Sequence, residues 1–167
     1  MLPHIEVPEH TEGYEGFYHV TRMSGCVEHA EIEFILRDFT REGIKDRKQN
    51  LQNIVKQINE KFGEGTIVLI LNDQYFNMRE KIEPVKYIVD LAETAMIELG
   101  LQPKIVPIRG GTDGARLSYM GLPCPNIFAG GHNFHGKYEY IPTRSMAKVC
   151  KVIVKIVEKV GNIRNYN

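Results

Sequence analysis

Apolar positions recur along this chain with two different periods. In residues 17–23, Phe17-Tyr18-His19-Val20-Thr21-Arg22-Met23, and again in residues 30–38, where Ile32, Phe34 and Leu36 alternate with Glu31, Glu33 and Ile35, the period is two. Such alternation marks half-buried strands, and Ser24-Gly25 between them marks a turn, so a hairpin is expected. From Ile44 the period lengthens: Leu51, Ile54, Val55, Ile58 and Phe62 share one face of a helix. Thr40 is placed to cap its start and Gly63-Glu64-Gly65 to end it. The run Thr66-Ile67-Val68-Leu69-Ile70-Leu71 reads as a third strand.

Beyond about residue 82 the order changes. Pro84 suits the first turn of a helix, Val85, Ile88, Val89, Ala92, Ala95, Met96 and Leu99 follow at helical spacing, and Gly100 stops it. Residues 104–108 and 123–129 read as short strands, with a short helix over 113–120 between them. Thr143 is expected to cap a last helix through Met146, Val149, Cys150, Ile153, Ile156, Val157 and Val160, with Gly161 as its stop. Helices alternating with short apolar strands predict a layered α/β fold. Two parts are expected: residues 1–82, whose order strand, strand, helix, strand makes a small sheet with one helix on a face, and residues 83–167, whose two strands are too few for a complete sheet.

Composition removes several classes of function. Lysine plus arginine and aspartate plus glutamate number 21 each, so no net field favours nucleic acid or a charged membrane surface. No apolar run approaches the ~20 residues of a membrane span, and no leader pattern opens the chain. Cys26, Cys124 and Cys150 are odd in number and widely spaced, which fits reduced thiols and a cytoplasmic location.

Candidate chemistry concentrates in two glycine-rich turns. Arg109-Gly110-Gly111-Thr112-Asp113-Gly114 joins an expected strand to an expected helix, where backbone N–H groups and an arginine suit an anion. The bland alternative is that Asp113 caps the helix and the glycines turn the chain. The pattern is neither a Walker loop nor GxGxxG. Gly130-Gly131-His132-Asn133-Phe134-His135-Gly136-Lys137-Tyr138-Glu139 offers His135 and Glu139 for a metal or for general-base work. A catalytic zinc takes about three protein ligands, and no third one stands at convincing spacing; a surface histidine is the bland alternative. His4, His10, His19 and His29 form no HxH or HExxH pattern. Arg37, at the end of an apolar strand, and Arg79 can each be an anion ligand or a solvated strand end.

Read together, Thr11-Glu-Gly-Tyr-Glu-Gly-Phe-Tyr-His19, Leu36-Arg-Asp-Phe39, Tyr75-Phe-Asn-Met-Arg-Glu-Lys81, Pro107-Ile-Arg-Gly-Gly-Thr-Asp-Gly-Ala115, Met120-Gly-Leu-Pro-Cys-Pro-Asn126 and Phe134-His-Gly-Lys137 carry a resemblance. From near residue 8 to its end the chain resembles the C-terminal portion of the tripeptide aminopeptidases, the peptidase T family. They belong to a two-zinc exopeptidase superfamily that includes carboxypeptidase G, aminoacylase and succinyl-diaminopimelate desuccinylase. The resemblance implies that residues 1–82 are the later part of a ferredoxin-like lid or dimerisation domain. It implies that residues 83–167 are the last segment of the zinc-exopeptidase α/β catalytic domain.

It also implies roles. His135 would ligate one of two zinc ions, with Glu139 as its supporting acid. Arg37 would close over the substrate, and Arg109, Gly110, Gly111, Thr112 and Asp113 would line the carboxylate end of the cleft. His132, where relatives often carry tyrosine, is not counted as a ligand, and Asn77 and Arg79 receive no role. The family's HxD pair, its remaining acidic ligands, its Glu-Glu general base and its lid histidine are not in this sequence. Hydrolysis of tripeptides by this chain alone is therefore not expected. The implied partners are a tripeptide, the missing N-terminal half and a possible second copy. The competing expectations are a non-catalytic module that binds a peptide terminus or a partner, and a phosphate-binding domain built on the Arg109 loop.

Overall fold

The computed structural model describes residues 3–164. The chain is α/β. A two-stranded antiparallel sheet, β1 (Phe17–Gly25) with β2 (Ala30–Arg37), is followed by α1 (Arg41–Phe62), α2 (Arg79–Ile82), a 3₁₀ turn at Glu83–Val85, α3 (Tyr87–Glu98), α4 (Asp113–Tyr119) and α5 (Thr143–Arg164). Two compact units result. One comprises Met1–Asn77 and Val106–Ala115, the other Met78–Ile105 and Arg116–Asn167.

In the first unit the hairpin forms as its alternation predicts. Phe17 pairs with Arg37, Tyr18 with Leu36 and Val20 with Phe34, and a bulge at Thr21 shifts the register before Met23 meets Ile32. Tyr18, Val20, Met23, Leu36, Phe34 and Ile32 therefore share one face, while Arg22 and Glu33 pair on the other at 3.0 Å. Thr40 caps α1 as expected, its hydroxyl accepting from the Gly43 N–H at 2.9 Å, and Gly63 closes the helix at φ +112°.

Where hairpin and helix meet, Asp38 accepts from the Thr40 N–H and hydroxyl at 3.1 Å each and from Arg47 Nε at 3.2 Å. Arg47 also donates to Glu6 at 2.6 Å and lies over the Tyr18 ring at 5.0 Å. Burial works against the Arg47 charge, but hydrogen bonds and attraction from Glu6 and Asp38 outweigh it and raise its pKa. The cluster explains two glycines. A Cβ at Gly16 or at Gly43 would fall on the Asp38 carboxylate.

Three expected strands do not form. Residues 66–71, 104–108 and 123–129 join no ladder. An apolar run becomes a strand only when a neighbour pairs its backbone, and among the described residues none is in place. At 66–71 a side chain substitutes for one step of a ladder: the Asn59 amide accepts from Ile67 N–H at 2.8 Å and donates to Ile67 C=O at 3.0 Å. Val68 and Ile70 remain 77% and 76% exposed. Arg79, expected to close a strand, instead opens α2.

The second unit is built on α3 and α5, which pack together and carry the fully buried Ala95 and Val152. Gly100 ends the α3 region at φ +71°. Gly161 does not stop α5, and Thr143 is its first residue rather than its cap. The opening carbonyl is that of Pro142, which accepts from Ser145 N–H at 2.9 Å and Met146 N–H at 3.2 Å. A glycine costs a helix about 1 kcal/mol relative to alanine and ends it only where the chain turns left-handed; Gly161 has no positive φ.

Glu98 on α3 receives Lys159 and, at 3.2 Å, Lys155, one turn apart on α5. Hydrogen bonds from Lys159 and then Lys155 lower the Glu98 pKa below its ordinary 4.5. A carboxyl whose folded pKa is depressed stabilises above its unfolded pKa and stops doing so as pH falls through the folded value. Thermal scans should therefore show Glu98→Gln melting below the parent chain at neutral pH, with the gap closing as the pH falls beneath the ordinary carboxylate range. A gap that persisted in acid would assign the effect to packing instead.

Candidate functional site

Arg37 is the last residue of β2, fixed opposite Phe17 by the hairpin register. Its guanidinium lies over the Tyr75 ring, 5.6 Å from the centroid. Gly111 closes the group. A Cβ there would coincide with the Tyr75 hydroxyl and stand 2.9 Å from Arg37 Nη2. Neither Gly110 nor Gly111 has a positive φ, so Gly111 serves close approach rather than a left-handed turn. Arg37 and Tyr75 are both half-buried, and among the described residues neither the guanidinium nor the phenol hydroxyl has a hydrogen bond or ion pair. A partly desolvated cation beside an unsatisfied hydroxyl is an arrangement completed by an anion.

Arg109 is engaged differently. Its Nη1 donates to the Thr11 carbonyl, and its Nη2 to the Thr11 hydroxyl and, at 3.3 Å, to the Glu15 carbonyl. The guanidinium sits 4.9 Å from the Phe17 ring centroid, and its Nε is buried without a hydrogen-bond partner. It ties residues 11–17 to the loop before α4. That helix is capped by Thr112, whose hydroxyl accepts from Ala115 N–H at 3.2 Å, while Asp113 stands in the first turn.

His135 lies in the second unit, in a loop closed by a two-way bridge between His132 and Tyr140, N–H to O at 2.8 and 3.2 Å. The two rings stack at 4.9 Å, so His132 is a loop fastener. Asn133 and His135 take left-handed φ of +55° and +62°, a conformation uncommon outside glycine. The Glu139 carboxylate holds the loop tip by accepting from the His135 backbone N–H at 3.0 Å. The imidazole is exposed. Among the described residues no three His, Cys, Asp or Glu side chains converge as a metal site. Among the described residues the exposed His135 imidazole is therefore a lone donor, where a catalytic zinc takes about three.

The structure accordingly brings Arg37 to Gly111, gives Arg109 to the N-terminal arm, and holds His135 with Glu139 in the other unit. Arg79 pairs with Glu83 at 3.7 Å on the surface of α2. Tyr75 is the participant that sequence reasoning passed over; it stood in a motif quoted for resemblance, with no periodicity to mark its role. An open groove of ≈ 520 Å³ follows α1, lined by Val55, Asn59, Leu69 and Leu71 among others. It contains none of the candidate residues and is the trough beside the unpaired run at 66–71.

No protein-family profile matches the chain. Individual proteins do. Peptidase T of Clostridium novyi is 61% identical over 158 residues, covering 95% of this chain and 39% of the relative. Peptidase T of Caldanaerobacter subterraneus is 58% identical over 161 residues, covering 96% and 39%. Among solved structures, a tripeptidase from Staphylococcus aureus superposes with a TM-score of 0.63 at 16% identity, over 95% of this chain and 43% of that one. That likeness establishes the fold. The chain spans about two fifths of the length of the curated relatives it matches. Over nearly its whole length the chain is thus similar in sequence to the C-terminal portion of peptidase T.

Proposed function

We propose that this chain is the substrate-carboxylate side of a zinc-dependent tripeptide aminopeptidase and that it does no hydrolysis by itself. The observation that carries the reading is the unpaired Arg37 guanidinium against Tyr75 and Gly111, in a chain 61% identical to a peptidase T. Residues 1–82 are assigned to the lid and 83–167 to the end of the catalytic domain. Arg37, with the backbone of Gly110 and Gly111, receives the tripeptide carboxylate. Thr112 and Asp113 fix the start of α4 beside it, and Arg109 holds the arm at residues 11–17 against the same loop.

His135 offers one ligand to zinc, and Glu139 fixes the backbone that presents it. When bound in a full-length enzyme, zinc supplies Lewis-acid polarisation of the scissile carbonyl and an activated water. No step of that chemistry is assigned to residues of this chain. Among the described residues no helix is long and apolar enough to cross a membrane, and the three cysteines are free thiols; a cytoplasmic location is proposed.

Two measurements on the purified chain test the reading. Equilibrium dialysis should find no stoichiometric zinc binding at micromolar metal, since a single ligand leaves the ion mostly hydrated. Trialanine should remain intact with zinc present. Zinc-dependent cleavage that disappeared with Arg37→Ala would overturn the proposal.

A further inference from the structure

We propose that Tyr75 is a second carboxylate ligand beside Arg37 and the residue that orients it. The inference rests on the assignment of Arg37 to a peptide carboxylate and extends it to a residue with no assigned role. Three observations carry it. The Arg37 guanidinium carbon lies over the Tyr75 ring, 5.6 Å from its centroid, a cation–π contact that restricts a long side chain. The hydroxyl lies where a Gly111 side chain would begin, within reach of the place that Arg37 Nη2 also borders. Finally, the hydroxyl is half-buried and makes no hydrogen bond among the described residues.

A half-buried hydroxyl without a hydrogen bond carries part of the cost of an unmet donor, and one that borders the same spot as an unpaired guanidinium is satisfied by the anion that satisfies the cation. A carboxylate has lone pairs for both donors. Arg37 then supplies charge, Tyr75 supplies a directed O–H donor, and Gly111 supplies the space. The ligand class that fits is a free peptide carboxylate rather than a blocked one.

The test uses the full chain with trialanine and trialanine amide as probes, following the Arg37 Nε–H resonance by NMR. In the parent chain trialanine should shift the resonance and the amide should not. Tyr75→Phe keeps the ring, so the ligand-free resonance should stay in place while trialanine affinity falls about tenfold or more, the effect of losing a hydrogen bond to a charged group. Tyr75→Ala should weaken binding as much and also move the ligand-free resonance, because the guanidinium loses its backing. Parent-like affinity in Tyr75→Phe would overturn the ligand role. An unmoved ligand-free resonance in Tyr75→Ala would overturn the orienting role. If trialanine shifts nothing even in the parent chain, the Arg37 assignment falls and the ligand role of Tyr75 falls with it. The ligand-free comparison then still decides whether Tyr75 orients Arg37.

Discussion

Mixing this chain with the N-terminal part of a peptidase T, for example that of Clostridium novyi, should turn an inert preparation into a tripeptidase. The matched portion is 39% of that relative. The resemblance assigns the general base and most metal ligands to the remainder. A positioned general base alone contributes roughly 10²–10⁴-fold, so the gain over this chain alone should exceed about a hundredfold. Apolar side chains that a partner would cover are exposed in three stretches. Val68 and Ile70 in the unpaired run, Ile105 and Val106 in another, and Ile153, Val154 and Val157 on α5 are apolar and exposed. Exposed apolar side chains gain by being covered, and the runs at 66–71 and 104–108 have no strand partner among the described residues. Size-exclusion chromatography should show a one-to-one complex, and release of free alanine from trialanine should track it. N-acetylated trialanine should resist, as an aminopeptidase needs the free amine. Activity from the N-terminal part alone, unchanged by this chain, would refute the assignment.

Replacing Arg47 with alanine should destabilise the first unit by about 2–4 kcal/mol, below the 3–5 typical of breaking a wholly buried ion pair. Its side chain and that of Asp38 are each only 14% exposed, which places their contact nearer the buried than the surface regime. The substitution leaves Asp38 with only its two Thr40 bonds, frees Glu6 and uncovers the Tyr18 ring. Urea denaturation followed by tyrosine fluorescence reads the change directly. A loss under about 1 kcal/mol would show that the cluster behaves as an ordinary solvated pair.

The parts of this fold that declare themselves in sequence are those whose partners lie nearby. The hairpin at 17–37 and the helix from Arg41 satisfy their backbones within a few residues, and Thr40 caps locally, so period and cap residues suffice. The runs at 66–71, 104–108 and 123–129 have the composition of strands, but a ladder depends on a distant neighbour that composition cannot supply. The same distinction governs the site. Arg37 and the Gly110-Gly111 turn stand out as residue types, whereas Tyr75 matters only because folding lays it on Gly111. Arg109 looks like an open anion ligand until Thr11 and Glu15, nearly a hundred positions earlier, engage both its terminal nitrogens.

That bond from Arg109 to Thr11 spans 98 residues and makes the first unit discontinuous along the chain. Residues 78–105 are, in effect, an insertion between its two pieces. The entropy of closing so long a loop exceeds that of the 41-residue loop between Glu6 and Arg47 by under about 1 kcal/mol, because it grows only with the logarithm of length. The insertion is thus thermodynamically cheap, yet it forbids excision. A fragment cut after Asn77 would keep the hairpin and α1 but lose Arg109 from Thr11, Glu15 and Phe17, and Gly111 from beneath Arg37.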